Sequence, residues 1–206
     1  SAAAAFGGEG SLRIDGFAPF GGFGRSANHN AAELPPLDIR IGGDGVPLSV
    51  AAGPSGLTDA EGTVIIEGRL TGAMDSPDAA LQVTSTAAAF TLIPTGVRYQ
   101  PVDMNIDVAD GHVAIRRLEI GSRPVWGLNP QSGTVKLNGG VDLSGAMAID
   151  VDSQFDGFWF SATRAAEVAA SGSVDIGGAF PALDIKGAIA LETGHIELGP
   201  EAFKDT

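Results

Sequence analysis

Gly172-Ser-Val-Asp-Ile-Gly-Gly-Ala-Phe-Pro-Ala-Leu-Asp-Ile-Lys-Gly-Ala-Ile-Ala-Leu-Glu-Thr-Gly-His-Ile-Glu-Leu198 is written in a two-residue period. Successive side chains of a strand project to opposite faces, so Val174 and Ile176 share one face and Ser173 and Asp175 the other. Gly177, Gly178 and Pro181 predict a turn. Beyond it, Leu183, Ile185, Gly187, Ile189 and Leu191 keep one parity against Asp184, Lys186, Ala188, Ala190 and Glu192. That spacing predicts a strand of about nine or ten residues with one apolar and one wet face. Thr193-Gly194 predicts a second turn, into Ile196 and Leu198. The unit is a one-sided antiparallel meander.

The same grammar extends outward through the chain. Leu12 and Ile14 alternate with Arg13 and Asp15. Residues 17–34 read as a long loop, with Phe17, Phe20 and Phe23 among glycine and proline and packing back on the sheet. Leu37, Ile39 and Ile41 resume the alternation, and Gly42-Gly43-Asp44-Gly45 predicts a hairpin turn into Val46, Leu48 and Val50. A turn-rich loop over Gly53–Ala60 leads to Val64, Ile66, Gly68 and Leu70. Ser76-Pro77-Asp78 interrupts before Leu81 and Val83, followed by Phe90 and Leu92. After Pro94-Thr95-Gly96 come Val102, Met104, Ile106 and Val108, and Asp110-Gly111 turns the chain into Val113 and Ile115. Leu118 and Ile120 fall on the other parity, which predicts a bulge at Arg116-Arg117. Val135, Leu137, Gly139, Val141 and Leu143 oppose Thr134, Lys136, Asn138, Gly140 and Asp142, and Met147, Ile149 and Val151 follow in phase. Phe158-Trp159-Phe160 reads as an aromatic plug, and Thr163–Ala170 alone has helical composition. Gly62–Gly68 resembles Gly133–Gly139, and Gly111–Ile115 resembles Gly194–Leu198, at unequal spacings: a recurrent strand unit rather than a strict solenoid period.

Composition narrows the function classes. With 206 residues, 44% of them hydrophobic, the chain suits a single all-β domain over 1–206. Thirty glycines and twelve prolines without a Gly-X-Y period fit many strands joined by turns. A net charge of −13 with twelve scattered Lys and Arg argues against nucleic acid and against an anionic lipid surface. The absence of cysteine excludes disulfides, thiolate metal sites and cysteine nucleophiles. Ala2–Phe6 is too short, and lacks the basic start, for a signal peptide.

Catalytic constellations are not evident, and we expect no enzyme, metal or cofactor. His112 and His195 each follow a turn glycine and read as polar residues opening strands. Asn28-His29-Asn30 has no basic surroundings. Asp150 and Asp152, like Asp103, Asn105 and Asp107, alternate outward and read as a solvated face rather than a calcium ladder. Gly42–Gly45 resembles one calcium-binding β-roll repeat but occurs once. Ser55, Ser171 and Ser173 lack a nucleophile-elbow context. A polysaccharide-cleaving solenoid would need exposed aromatics beside the outward carboxylates.

Nearly every strand has one apolar face and no amphipathic helix can cover it. The sheet must therefore cover itself as a sandwich, a barrel or a curled trough, and alternation alone leaves these open. Gly133–Gly139, Met147–Phe155, Phe158–Phe160 and Gly172–Leu198 with its closing Gly-His-Ile-Glu-Leu, together with Gly62–Leu92 and Val102–Gly121, resemble the C-terminal half of the TamB family within the wider AsmA-like, repeating β-groove group. The resemblance spans 34–198 and rests on pattern. It implies a long antiparallel meander curled into a taco-like trough with a hydrophobic interior, the alternatives being a closed β-sandwich or β-solenoid, structural or adhesive, with a dry core. It further implies a fragment of a longer, inner-membrane-anchored periplasmic protein that conducts phospholipids between inner and outer membrane and supports outer-membrane protein assembly. Its partners would be phospholipid acyl chains and an Omp85-type barrel, the latter met through other regions. The implied groove lining is Ile39, Val64, Ile66, Leu81, Val83, Met104, Ile106, Val113, Ile115, Val135, Leu137, Val141, Leu143, Ile149 and Val151, then Val174, Ile176, Leu183, Ile185, Ile189, Leu191, Ile196 and Leu198.

Overall fold

The computed structural model describes residues 2–6, 10–17, 36–51, 56–73, 76–126 and 131–196. The strands are β1 (Ala2–Phe6), β2 (Gly10–Phe17), β3 (Leu37–Pro47), β4 (Leu57–Glu61), β5 (Thr63–Ala73), β6 (Ser76–Leu92), β7 (Val97–Ala109), β8 (His112–Pro124), β9 (Gly133–Asp142), β10 (Ala148–Ala162), β11 (Ala166–Ala179) and β12 (Ala182–Ile196). They form one twelve-stranded sheet in the order β1-β2-β3-β5-β6-β7-β8-β9-β10-β11-β12, antiparallel at every pairing, with β4 also beside β6. β1 and β12 do not pair, so the sheet is open rather than a closed barrel. It is an all-β meander curled into a trough, with no second sheet packed on its face among the described residues.

Several strands run longer than their punctuation predicts. Gly42–Gly45 makes no hairpin: β3 continues through it to Pro47, and the extra residues leave the ladder as a bulge between Gly43 and Val46. Leu48–Ala51 is a 3-10 turn. Leu57–Glu61 overlaps the predicted Gly53–Ala60 loop yet is a strand, because it finds the second half of β6 to pair with. Ser76–Asp78 already belongs to β6. Thr163–Ala170 is not helical; after a bend it is the start of β11, whose backbone pairs with β10 and β12. Gly177 and Gly178 stay in β11, and the turn falls at Phe180-Pro181. Thr193-Gly194 does not turn either, since β12 continues to Ile196 for 15 residues. The bulge at Arg116 is present: Asn105 pairs with Arg117, and Ile106 with Ile115. The predicted 17–34 loop lies outside the described residues except for Phe17, which ends β2.

A line of irregularities crosses the sheet and divides it. Gly62 separates β4 from β5, and a Cβ there would lie 2.8 Å from the Cα of Ala88. Thr86 and Ala87 fall between paired Ser85 and Ala88, Gln100 and Pro101 between Tyr99 and Val102, Asp156 and Gly157 between Phe155 and Phe158, and Glu192 between Leu191 and Thr193. Bulges increase local twist and bend the strand, so this crease is where the sheet folds over. The donors released by the bulges find side chains: the Ala87 N–H donates to Asp103 Oδ1 at 2.7 Å and the Gly157 N–H to Ser171 Oγ at 2.7 Å. Neither residue therefore needs a catalytic or metal role to explain it.

Beyond the crease the curl is tight. Tyr99 on β7 and Phe158 on β10 stack with ring centroids 5.9 Å apart. In the order β7-β8-β9-β10 a flat sheet would hold those strands about 14 Å apart. Phe155, Phe160 and Phe90 complete the cluster, with Phe158 edge-on to Phe160 at 5.1 Å and Phe90 at 5.3 Å from Tyr99. Alanines allow this closeness: Ala88, Ala89, Ala162, Ala169 and Ala170 are all buried, as are Val97 and Val135. Buried Ser122 donates to the Gly133 carbonyl at 3.4 Å and accepts the Trp159 N–H at 2.9 Å, joining β8 to β10 where β9 begins. The plug splits by alternation, for the Trp159 indole leaves the cluster and donates to the Gln131 carbonyl at 2.9 Å. The core therefore sits at one end of the strands.

Candidate functional site

On the other side of the crease lies a broad apolar field. Directly paired residues project from the same face, so register assigns the field without reference to periodicity. One row runs Leu12–Gly43–Ile66–Val83–Ile106–Ile115–Gly139–Val151–Ile176–Ile185 from β2 to β12. The next runs Ile14–Ile41–Gly68–Leu81–Val108–Val113–Val141–Ile149–Gly178–Leu183 over the same strands. Toward the crease follow Val46–Val64–Ser85–Met104–Leu118–Leu137–Ser153–Val174–Gly187, and then Ala88–Val102–Ile120–Val135–Phe155–Gly172–Ile189. Phe158 pairs with Ala170 and Ala170 with Leu191, which puts the aromatic cluster on this face and makes it the concave one.

Only apolar residues, glycine and two serines occupy these rows, and both serines are capped. Ser85 Oγ donates to the Val102 carbonyl at 3.0 Å and Ser153 Oγ to the Val174 carbonyl at 2.7 Å. A hydroxyl bound to a main-chain carbonyl presents little unsatisfied polarity to an apolar neighbour. Glycines let strands bend where a side chain would collide: at Gly139, with φ +132°, a Cβ would lie 2.1 Å from the Asp150 carbonyl oxygen. From β5 to β11 the lining is mostly half-buried, with Val64, Ser85, Ala88, Val102 and Val135 buried in the rows nearest the crease, and it opens toward β12, where Ile185 is 65% and Ile189 58% exposed.

The outward rows are the inverse. One reads Glu67–Gln82–Asp107–Ala114–Gly140–Asp150–Gly177–Asp184, and another carries Asn138–Asp152–Asp175–Lys186. Arg69 holds Asp38 through paired hydrogen bonds of 2.9 and 3.1 Å, keeping its carboxyl below the ordinary range, with both side chains about half exposed. Such pairs keep the back of the sheet wet and contribute little stability. His112 opposes Asp142, whose carboxyl is lowered by hydrogen bonds from the Ser144 hydroxyl and amide. Among the described residues no group of three His, Cys, Asp or Glu converges.

Register brings together most of the residues expected to line a groove and relocates some. Ile39 opposes Leu70 beyond the second row. Leu183, Ile185, Ile189 and Leu191 stand on its edge strand, whereas Val135, Leu137 and Val141 on β9 are interior. Leu143 lies past the end of β9, its amide donating to the Gly111 carbonyl at 2.7 Å, and is 54% exposed. Ile196 opposes Ala166 at the far end of β12, and Leu198 lies outside the described residues. Leu12, Ile14, Ile41, Val102 and Val108 share the field and were legible from the same parity, and Leu118 and Ile120 join it across the bulge at Arg116. Tyr99, Phe90 and Phe155 were not, since their place depends on the crease. The fold and site thus define an open, curled antiparallel sheet with a continuous apolar concave face. Compared with known proteins, the chain matches no family model, no curated protein and no solved structure.

Proposed function

We propose that this chain is a segment of hydrophobic β-groove that conducts phospholipid acyl chains across a periplasm, between inner and outer membrane. The observation that carries the reading is the apolar face itself, which runs from β2 to β12 and, among the described residues, stays half-open with no second sheet over it. Burying a dozen methylenes in such a face contributes on the order of 10 kcal/mol relative to water. An isolated cup of that strength would trap a lipid. Along a continuous face each step exchanges one apolar contact for another, so an acyl chain slides while its headgroup remains in water. That task needs aliphatic rows, capped hydroxyls and no fixed polar specificity.

The TamB resemblance extends the proposal to a periplasmic, inner-membrane-anchored envelope protein, and to support of outer-membrane protein assembly beside an Omp85-type barrel. Among the described residues no helix is long and apolar enough to cross a membrane. No catalytic step, metal or cofactor enters this reading. Native mass spectrometry of the protein purified from membrane-bearing cells tests it. Copurified phospholipid, displaced by added detergent, is the expected result; a lipid-free chain that also fails to take up phospholipid from vesicles overturns it in favour of a structural module.

A further inference from the structure

β12 forms one edge of the sheet, and among the described residues no strand pairs with its far side. Edge strands that must stay single are usually short, bulged, or studded with charge and proline. β12 has 15 residues, with Lys186 as its one cationic guard. Its aliphatics are the most open on the concave face, with Leu191 68% and Ile185 65% exposed.

Read on that face, β12 is a palindrome: Leu183, Ile185, Gly187, Ile189, Leu191. Its regular stretch is centred in the same place, beginning at Ala182 after the turn and reaching the bulge at Glu192. Pairing a strand antiparallel with its own copy is a two-fold operation, which sets each residue before the centre against the one equally far beyond it. About Gly187, Leu183 meets Leu191, Ile185 meets Ile189, and glycine meets glycine on the axis. On the outer face Lys186 meets Ala188, Asp184 meets Ala190 and Ala182 meets Glu192, so no like charges stand directly opposed. We propose that β12 pairs antiparallel with β12 of a second copy of this chain about a two-fold axis at Gly187. The apolar faces of both copies then lie on one side of a joint sheet.

The chain has no cysteine, so introduced thiols report the register cleanly. Sedimentation equilibrium at about 50 µM is expected to give a dimer, with the dissociation constant raised about tenfold or more in Ile189→Lys. Under mild oxidation the double variant Ile185→Cys/Ile189→Cys is expected to become a covalent dimer, and Ile185→Cys alone to remain uncoupled. Circular dichroism confirms that each variant keeps its sheet. A monomer at that concentration, a covalent dimer from Ile185→Cys alone, or a β12 that takes up a strand of another protein instead, would overturn the proposal. These readouts follow mass and register, not lipid, and so succeed or fail apart from the conduit reading.

Discussion

The two sides of the crease use one alternating pattern for opposite ends. Beyond it, Val97 is fully buried and Phe158 is 7% exposed; across it, on the same face, Ile185 is 65% exposed. Hydrophobicity does not separate them. What separates them is curvature: bulges and alanines let β7 and β10 approach, and aromatic rings are long enough to meet across the gap. Among the described residues, aliphatics on the regular part of the sheet have strand neighbours beside them and no second sheet above them. A dry core and an open trough thus arise from one strand grammar, decided by where the ladder is broken.

The sharpest break of this comparison is a matched truncation. Phe158→Ala removes the ring that touches Tyr99, Phe155 and Phe160 and is expected to cost about 3–5 kcal/mol in urea unfolding. Ile185→Ala in the open field is expected to cost less than about 1 kcal/mol, because its side chain is largely in water already. Equal costs would mean that the field is a packed core. Next in size is a pair of glycines on neighbouring strand stretches. At Gly172, φ is +145° and a Cβ would lie 2.0 Å from the Ala188 carbonyl oxygen, whereas a Cβ at Gly177 meets nothing within 4 Å. Gly172→Ala should destabilise by about 2–3 kcal/mol, and Gly177→Ala should fall within about 0.5 kcal/mol of wild type.

Much of this architecture was legible in the sequence because alternation is local. Val135, Leu137 and Val141 show their face within one strand, and Arg116 shows its bulge as a slip of phase. Turn chemistry was less reliable. Gly42–Gly45 and Thr193-Gly194 carry turn residues, yet both lie in strands, since β2 and β5 flank the first and β11 flanks the second with hydrogen bonds that a hairpin there would forfeit. The crease was illegible for the converse reason. Tyr99 and Phe158 are 59 positions apart by their numbers, 99 and 158, and only strand order brings them together. The TamB resemblance rests on the local pattern, and it specifies a trough without locating the narrow end.

The smallest effects come from protons, and they divide the molecule the same way. Burial raises the Tyr99 phenol above its ordinary 10.0, against a lesser lowering by Thr95. Its contribution is intact below that value and lost as pH rises through the raised one, loosening the narrow end. Hydrogen bonds from Ser144 lower the Asp142 carboxyl from 3.8, so its contribution is present above that value and lost as pH falls through the lowered one, at the turn after β9. The chain has a single tyrosine, so tyrosinate absorbance reports Tyr99 alone. An alkaline midpoint above that of free tyrosine is expected, and a normal midpoint would place Tyr99 outside the packed cluster.

The central claim, that the concave face carries acyl chains, is tested most directly by photocrosslinking at two adjacent residues of β8. Val113 lies in the apolar row between Val108 and Val141, and Ala114 faces outward between Asp107 and Gly140. A photoreactive side chain is placed at each position in turn and irradiated in cells or with phospholipid vesicles. The account predicts lipid adducts at Val113 and almost none at Ala114. Equal labelling at both positions, or no lipid adduct at Val113 in a folded protein, would contradict it.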